Sequence, residues 1–103
     1  MLLVETSAFT RRVTVLLSDE DYREFQTELI ADPKAGDRIT GTGGLRKIRW
    51  SATGRGKRGG VRIIYYHLDV RARIYLLVIY AKSEKDDLSP TELRTLRRLM
   101  EEP

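Results

Sequence analysis

Lys47 and Arg49 stand two residues apart in the stretch Leu45 to Trp50, and Arg62 opens the next apolar run. On a strand they would share one face, about 7 Å apart. If the two runs pair as a hairpin, Arg62 comes to lie near both. Such donor-only cations can grip a phosphate and stabilise the negative charge that builds on it during a displacement. RNA suits this chemistry because it brings its own nucleophile. The adjacent 2′-OH can attack its phosphate in line, so a protein need only orient the strand, stabilise the phosphorane and handle protons. A lysine crowded by other cations loses its proton more easily and can act as the base. Tyr80 and Lys82, also two residues apart, share a face near the end of a later apolar run and join the candidate set.

Charge along the chain supports a polyanionic partner. Between Arg38 and Leu68 there are eight Arg or Lys and no Asp or Glu, and seven of the eight glycines. The whole chain carries only +4, so the remainder is net −4. A cationic strip on a mildly acidic body is the footprint expected for a phosphate backbone. Arg46, Arg55, Lys57 and Arg58 are candidate backbone contacts, the last three on the glycine-rich segment TGRGKRGG. The plain alternative is a solvated edge that guards a strand against aggregation. The glycines match neither a P-loop nor a dinucleotide fingerprint.

Other chemistries find little support. His67 is the sole histidine, on a strand that reads as buried, where a structural role is expected. No nucleophile–histidine–acid set or paired carboxylates stand out. With no cysteine and no ligand cluster, neither a metal nor a cofactor is expected. The longest apolar run, Ile74 to Ala81, is too short to span a bilayer. The N-terminus lacks a basic n-region and meets Glu5 at once, so no signal peptide is expected. A cytoplasmic protein without membrane contact fits these features.

The elements that must position these residues follow from pattern. Leu2 to Glu5 reads as a strand. Ser7 can cap a first helix bearing Phe9, Val13, Leu16 and Leu17. Ser18 caps a second, followed by three acids that favour a helix N-terminus, with Tyr22, Phe25, Leu29 and Ile30 as its apolar stripe. Asp32-Pro33 ends it, and Pro33 to Gly44 reads as loop. Leu45 to Trp50 alternates, with Ile48 and Trp50 opposite the two cations. Val61 to Leu68 and Arg73 to Ala81 form a hairpin of central strands. Ser89-Pro90-Thr91-Glu92 is a capping box opening a last helix with Leu93, Leu96, Leu99 and Met100 on its stripe. The tyrosines on the hairpin, Tyr65, Tyr66, Tyr75 and Tyr80, are expected mostly in the core. The order β-α-α-β-β-β-α predicts a single α+β domain over residues 1–103 with a mostly antiparallel twisted sheet.

Three blocks, GTGGLRKIRW, GRGKRGGVRIIYYHLD and IYLLVIYAKSEKDDLSP, together resemble the RelE/HigB family of type II toxins, in its HigB-like, phage-derived branch. The similarity covers nearly the whole chain. It implies the RelE-like fold and a ribosome-dependent mRNA endonuclease that cuts in the A site and halts translation. It further implies a cognate antitoxin, in this branch a helix-turn-helix, HigA-like protein, through which alone operator DNA is bound. The family's paired basics correspond to Lys47 and Arg49, with Arg replacing a second Lys, and its next-strand Arg corresponds to Arg62. Lys82 is kept, but the following family Arg is Ser83 here. The family's C-terminal Tyr has no clear counterpart, and Tyr80 substitutes only by position. These departures leave the identity of base and acid open; the assignment the residues suggest is Arg62 on the transition-state phosphate and Lys47 as acceptor of the 2′-OH proton, with Lys82 or Arg49 assisting. A site with such weak proton-transfer groups gains from a ribosome that holds the message bent for attack. Two rivals share the scaffold: a ParE-type gyrase inhibitor, which needs no phosphate clamp, and a non-catalytic ribosome- or RNA-binding module.

Overall fold

The computed structural model describes residues 1–51 and 60–101. Strand β1 (Leu2–Glu5) leads into helices α1 (Ser7–Leu16) and α2 (Asp19–Ala31). Strands β2 (Asp37–Arg38), β3 (Leu45–Trp50), β4 (Val61–Leu68) and β5 (Arg73–Ala81) follow, and helix α3 (Pro90–Glu101) closes the order. The five strands form one sheet in the order β1-β5-β4-β3-β2, antiparallel except for the β1–β5 pair. This is the α+β architecture expected, with one strand more.

The extra strand, β2, lies in the stretch expected to be loop. Two residues are too few to show periodicity. Their pairing with Arg46 and Lys47 arises because the turn after them folds the chain straight back. In that turn Thr42 Oγ1 donates to the Ile39 carbonyl at 2.6 Å and accepts the Leu45 N–H at 3.2 Å. Gly43 holds a left-handed φ of 71°, and a Cβ there would run into the Arg97 guanidinium. The turn is thereby pressed against α3.

Helix caps follow local chemistry. Thr6, not Ser7, caps α1: its hydroxyl accepts from Phe9 N–H at 3.1 Å and donates to the Leu77 carbonyl at 2.7 Å. The second bond ties the helix start to β5, a long-range contact invisible in sequence. Ser18 caps α2 as expected, accepting from Asp21 N–H at 3.0 Å. The Ser89–Glu92 box is formed reciprocally, at 3.1 and 2.8 Å.

Two apolar layers sandwich the sheet. Beneath α1 and α2 lie Phe9, Val13, Leu17, Phe25 and Leu29 against Val61, Ile63, Tyr65, Ile74, Leu76 and Ile79. Trp50 and Ile48 close this layer, with Trp50 edge-on to Phe25 at 5.5 Å. The opposite layer is smaller: Leu45, Ile64, Leu77 and Tyr80 under Leu96 of α3. Two helical stripes are narrower than expected, because Ile30 and Leu99 stand 43% and 49% exposed at the margins of their helices.

β4 and β5 are central and covered on both faces, as expected. Their pairing carries a bulge: Tyr65 faces Leu76 but Ile64 faces Val78, leaving Leu77 as the extra residue. Leu77 and Val78 both pack towards α3. Beyond the bulge the alternation is reversed, so Tyr80, and Lys82 after it, turn to the α3 face rather than to the other layer.

Tyr65 is fully buried and fastens the α2–β2 connection. Its hydroxyl donates to the Pro33 carbonyl at 2.8 Å and accepts the Gly36 N–H at 2.9 Å. Tyr65→Phe strips both groups of their partner. It should destabilise the fold by about 1–3 kcal/mol, read as a lower urea midpoint with an unchanged m-value.

Candidate nucleic-acid interface

The cations singled out by spacing meet on the α3 face of the sheet. Arg49 pairs directly with Arg62, and Arg62 with Tyr80, in one cross-strand row. Lys47 lies one step along β3 on the same face. Lys82 follows β5, its N–H bonded to the Gly60 carbonyl at 3.2 Å. That bond needs the left-handed φ of 60° at Gly60, where any Cβ would strike the Trp50 carbonyl. Lys47, Arg49, Arg62 and Lys82 thus line one open cleft of about 300 Å³. Arg62 is 5% exposed at its floor, while Arg49 and Lys82 are exposed at its rim.

Two further residues line the cleft that sequence reasoning did not select, Asp86 and Asp87. Lys47 Nζ donates to the Asp87 carboxylate, a contact across forty positions of sequence. That hydrogen bond, then the Lys47 charge, and more weakly Arg49 and Arg62, hold the Asp87 carboxyl below the usual carboxylate range. The available signal was faint: two acids between Lys82 and the Ser89 cap read as an ordinary solvated loop.

Tyr80 is largely buried, and its hydroxyl donates to the Asp86 carbonyl at 3.2 Å. Burial, reinforced by the Asp87 charge and opposed by Arg62, raises its pKa. The phenol therefore holds the Asp86 backbone beside the cleft and gives up its proton reluctantly. Beside it lies a second recess of about 310 Å³, floored by Ile39, Ile64, Leu88 and Leu93 and sharing Lys47, Arg49 and Asp87 with the first.

Other candidates lie elsewhere. Arg46 points to the opposite face from Lys47 and donates to the carbonyls of Gly36 at 2.7 Å and Lys34 at 3.3 Å. It braces the loop before β2 and stands apart from the cleft, so its place among the backbone contacts is not supported by position. Arg55, Lys57 and Arg58 fall outside the described residues. His67 sits on the α1–α2 side, with Nε2 3.7 Å from an Asp69 carboxylate oxygen and away from the cleft. Tyr66 and Tyr75 are partly buried against the α3 layer and line a separate recess of about 440 Å³ that shares no residue with the cleft.

The family model for the RelE toxin of the RelE/RelB toxin-antitoxin system matches residues 17–102. The chain belongs to the RelE toxin family. Solved structures agree with the fold. A mutant of the E. coli toxin RelE in the free state superposes with a TM-score of 0.65 at 14% identity, covering 96% of this chain and 95% of that one. The isolated E. coli RelE toxin gives 0.60 at 16% identity, over 95% and 97% of the two chains. The chain in the intact E. coli RelBE toxin-antitoxin complex gives 0.60 at 17%, over 78% and 94%. At such identities the likeness to RelE is one of fold, and the cleft residues of this family member must be argued from its own geometry.

The Lys47–Asp87 pair sets a pH dependence. Asp87 has its folded pKa depressed, so its contribution to stability is present at neutral pH and is lost as pH falls through that folded value. A carboxyl-detected NMR titration should place its midpoint below that of an ordinary Asp. In Lys47→Met the midpoint should move upwards, towards that ordinary value.

Proposed function

We propose that this RelE-family protein is an mRNA endonuclease that acts on the ribosome, cutting the message by attack of a 2′-OH on its own phosphate. One observation carries the reading. Four cations, two from β3, one from β4 and one from the residue that follows β5, converge on one open cleft. In the proposed mechanism the cleft grips the scissile phosphate and its neighbour. Arg62, fixed at the floor, faces the non-bridging oxygens and stabilises the charge of the phosphorane. Arg49 and Lys47 hold the strand from the β3 side, and Lys82 lies from the β5 side against the leaving oxygen. Arg62 is buried in place before substrate arrives, so little reorganisation there accompanies the charge build-up.

The same arrangement supports dependence on the ribosome. Among the described residues the cleft is open and is lined by charged side chains alone. An external frame that presents the phosphate bent, with the 2′-OH opposite the leaving oxygen, supplies the orientation that an open cleft lacks. Inhibition of translation then follows from loss of the message in the A site.

Regulation by a cognate antitoxin is part of the same proposal. The RelBE complex is a toxin with its antitoxin, and a partner of that kind is proposed for this chain in the cytoplasm. The sequence blocks favour a helix-turn-helix, HigA-like protein in that role, with operator DNA reached through it.

The purified protein in a translating extract should yield in-frame 5′ ends on the message by primer extension, and none on naked RNA. Arg62→Ala, verified as folded by its unfolding transition, should lower the cleavage rate roughly 10²-fold, the scale of losing one such donor. Full activity in that variant sinks the role of Arg62. Salt-sensitive RNA binding without any cut by the wild type identifies a non-cleaving binder, and growth arrest with neither points to gyrase.

A further inference from the structure

A 2′-OH that attacks phosphorus must hand its proton to something, and the cleft contains very few acceptors. Lys47, Arg49, Arg62 and Lys82 carry only donors in their charged forms. Lys47 Nζ is already occupied as a donor to Asp87. The Tyr80 hydroxyl is committed to the Asp86 carbonyl, and burial keeps its proton on. His67 is on the far face of the sheet. Among the described residues that line the cleft, acceptor side chains come from Asp86 and Asp87 alone.

Asp87 is the better placed of the two. It borders both the cationic cleft and the adjoining apolar recess, whereas Asp86 borders only the first. Its backbone is fastened on both sides. Tyr80 holds the Asp86 carbonyl, Leu88 packs into the α3 layer, and Ser89 is locked in its capping box. The carboxylate itself is open to an incoming strand, at 69% side-chain exposure. An anchored root with an accessible tip is the arrangement required of a group that must touch substrate.

We propose that Asp87 is the general base of the cleft, replacing Lys47 in that role. The assignment rests on the RNA-cleavage reading above. As the 2′-oxygen attacks, the 2′-O–H bond breaks and its proton passes to an Asp87 oxygen. The new O–P bond closes a 2′,3′-cyclic phosphate. The P–O5′ bond breaks, and the leaving 5′-oxygen takes a proton from the Lys82 ammonium. Asp87 then releases its proton to water and Lys82 regains one, so no other co-reactant is consumed.

The ion pair with Lys47 also gives the cleft a sequence of events. In the free protein the surrounding cations keep Asp87 ionised and ready. When a phosphodiester takes over Lys47, the negative charge brought beside the carboxylate makes it a stronger base. Substrate binding would thus both free the acceptor and strengthen it.

The test is single-turnover cleavage on programmed ribosomes by the wild type, Asp87→Asn, Asp87→Glu and Lys82→Ala. Each is run on messages with the ordinary 5′-oxygen or a 5′-bridging sulfur at the cut site. Binding is followed separately on a message with a 2′-deoxy nucleotide there. Asp87→Asn should lose about 10²-fold or more in rate, the usual share of a general base, with binding unchanged or tighter. Asp87→Glu should retain more activity than Asp87→Asn. The sulfur leaving group, which needs no protonation, should restore Lys82→Ala but not Asp87→Asn.

Cleavage by Asp87→Asn at the wild-type rate overturns the base assignment alone, as does its rescue by sulfur or a loss explained by weakened binding. Tighter binding with faster cleavage also overturns it and makes Asp87 a plug that RNA must displace. A wild type that never cuts removes the cleavage reading itself, and the base falls with it.

Discussion

Like charges directly opposite each other on neighbouring strands disfavour the pairing, and Arg49 and Arg62 stand so at the end of β3 and the start of β4. Much of the rest of the structure can be understood as making it tolerable. The strands that carry the pair are held by apolar layers on both faces, so their register is fixed by burial rather than by the charges. Asp86 and Asp87 are brought back over the same spot and supply negative charge from a segment remote in sequence. An arrangement that costs stability and is nevertheless assembled from three strands and a loop is a natural place to look for function.

Two backbone devices turn this crowding into a cleft. The bulge at Leu77 reverses the alternation of β5, and without it Tyr80 and Lys82 would face the α1–α2 layer. Gly60, in a conformation closed to other residues without strain, lets the start of β4 meet Lys82. α3 borders the adjoining apolar recess through Leu93. Its capping box fixes Ser89, and through the short Asp86–Leu88 segment it fixes the acids relative to the cations. Charge, backbone geometry and helix capping therefore act on the same few atoms.

Much of the site was legible because its members obey strand periodicity. Lys47 and Arg49 alternate against Ile48 and Trp50, and the hairpin expected from β-branched runs brought Arg62 opposite Arg49. Tyr80 and Lys82 were paired by spacing, although their common face pointed to the cleft only through the bulge. Arg46 stands apart from the cleft for a related reason. Counted as one of a basic run, it belongs by alternation to the opposite face, where loop carbonyls engage it. Asp86 and Asp87 went unselected because an acid in a loop carries no periodic signal.

Sequence alone determined the element types, the antiparallel hairpin, two of the three helix caps and the sharing of a face by Lys47 and Arg49. Each depends on residues within about one helical turn or strand of one another. Tertiary structure decided the rest: β2, the Thr6 cap with its bond to β5, the direction of Tyr80 and Lys82, and the meeting of Lys47 with Asp87. These depend on partners far apart in the chain, and such pairings are set by how two apolar layers pack around one sheet. No local pattern records that packing, so the residues that supply the cleft with negative charge became visible only once the chain was folded.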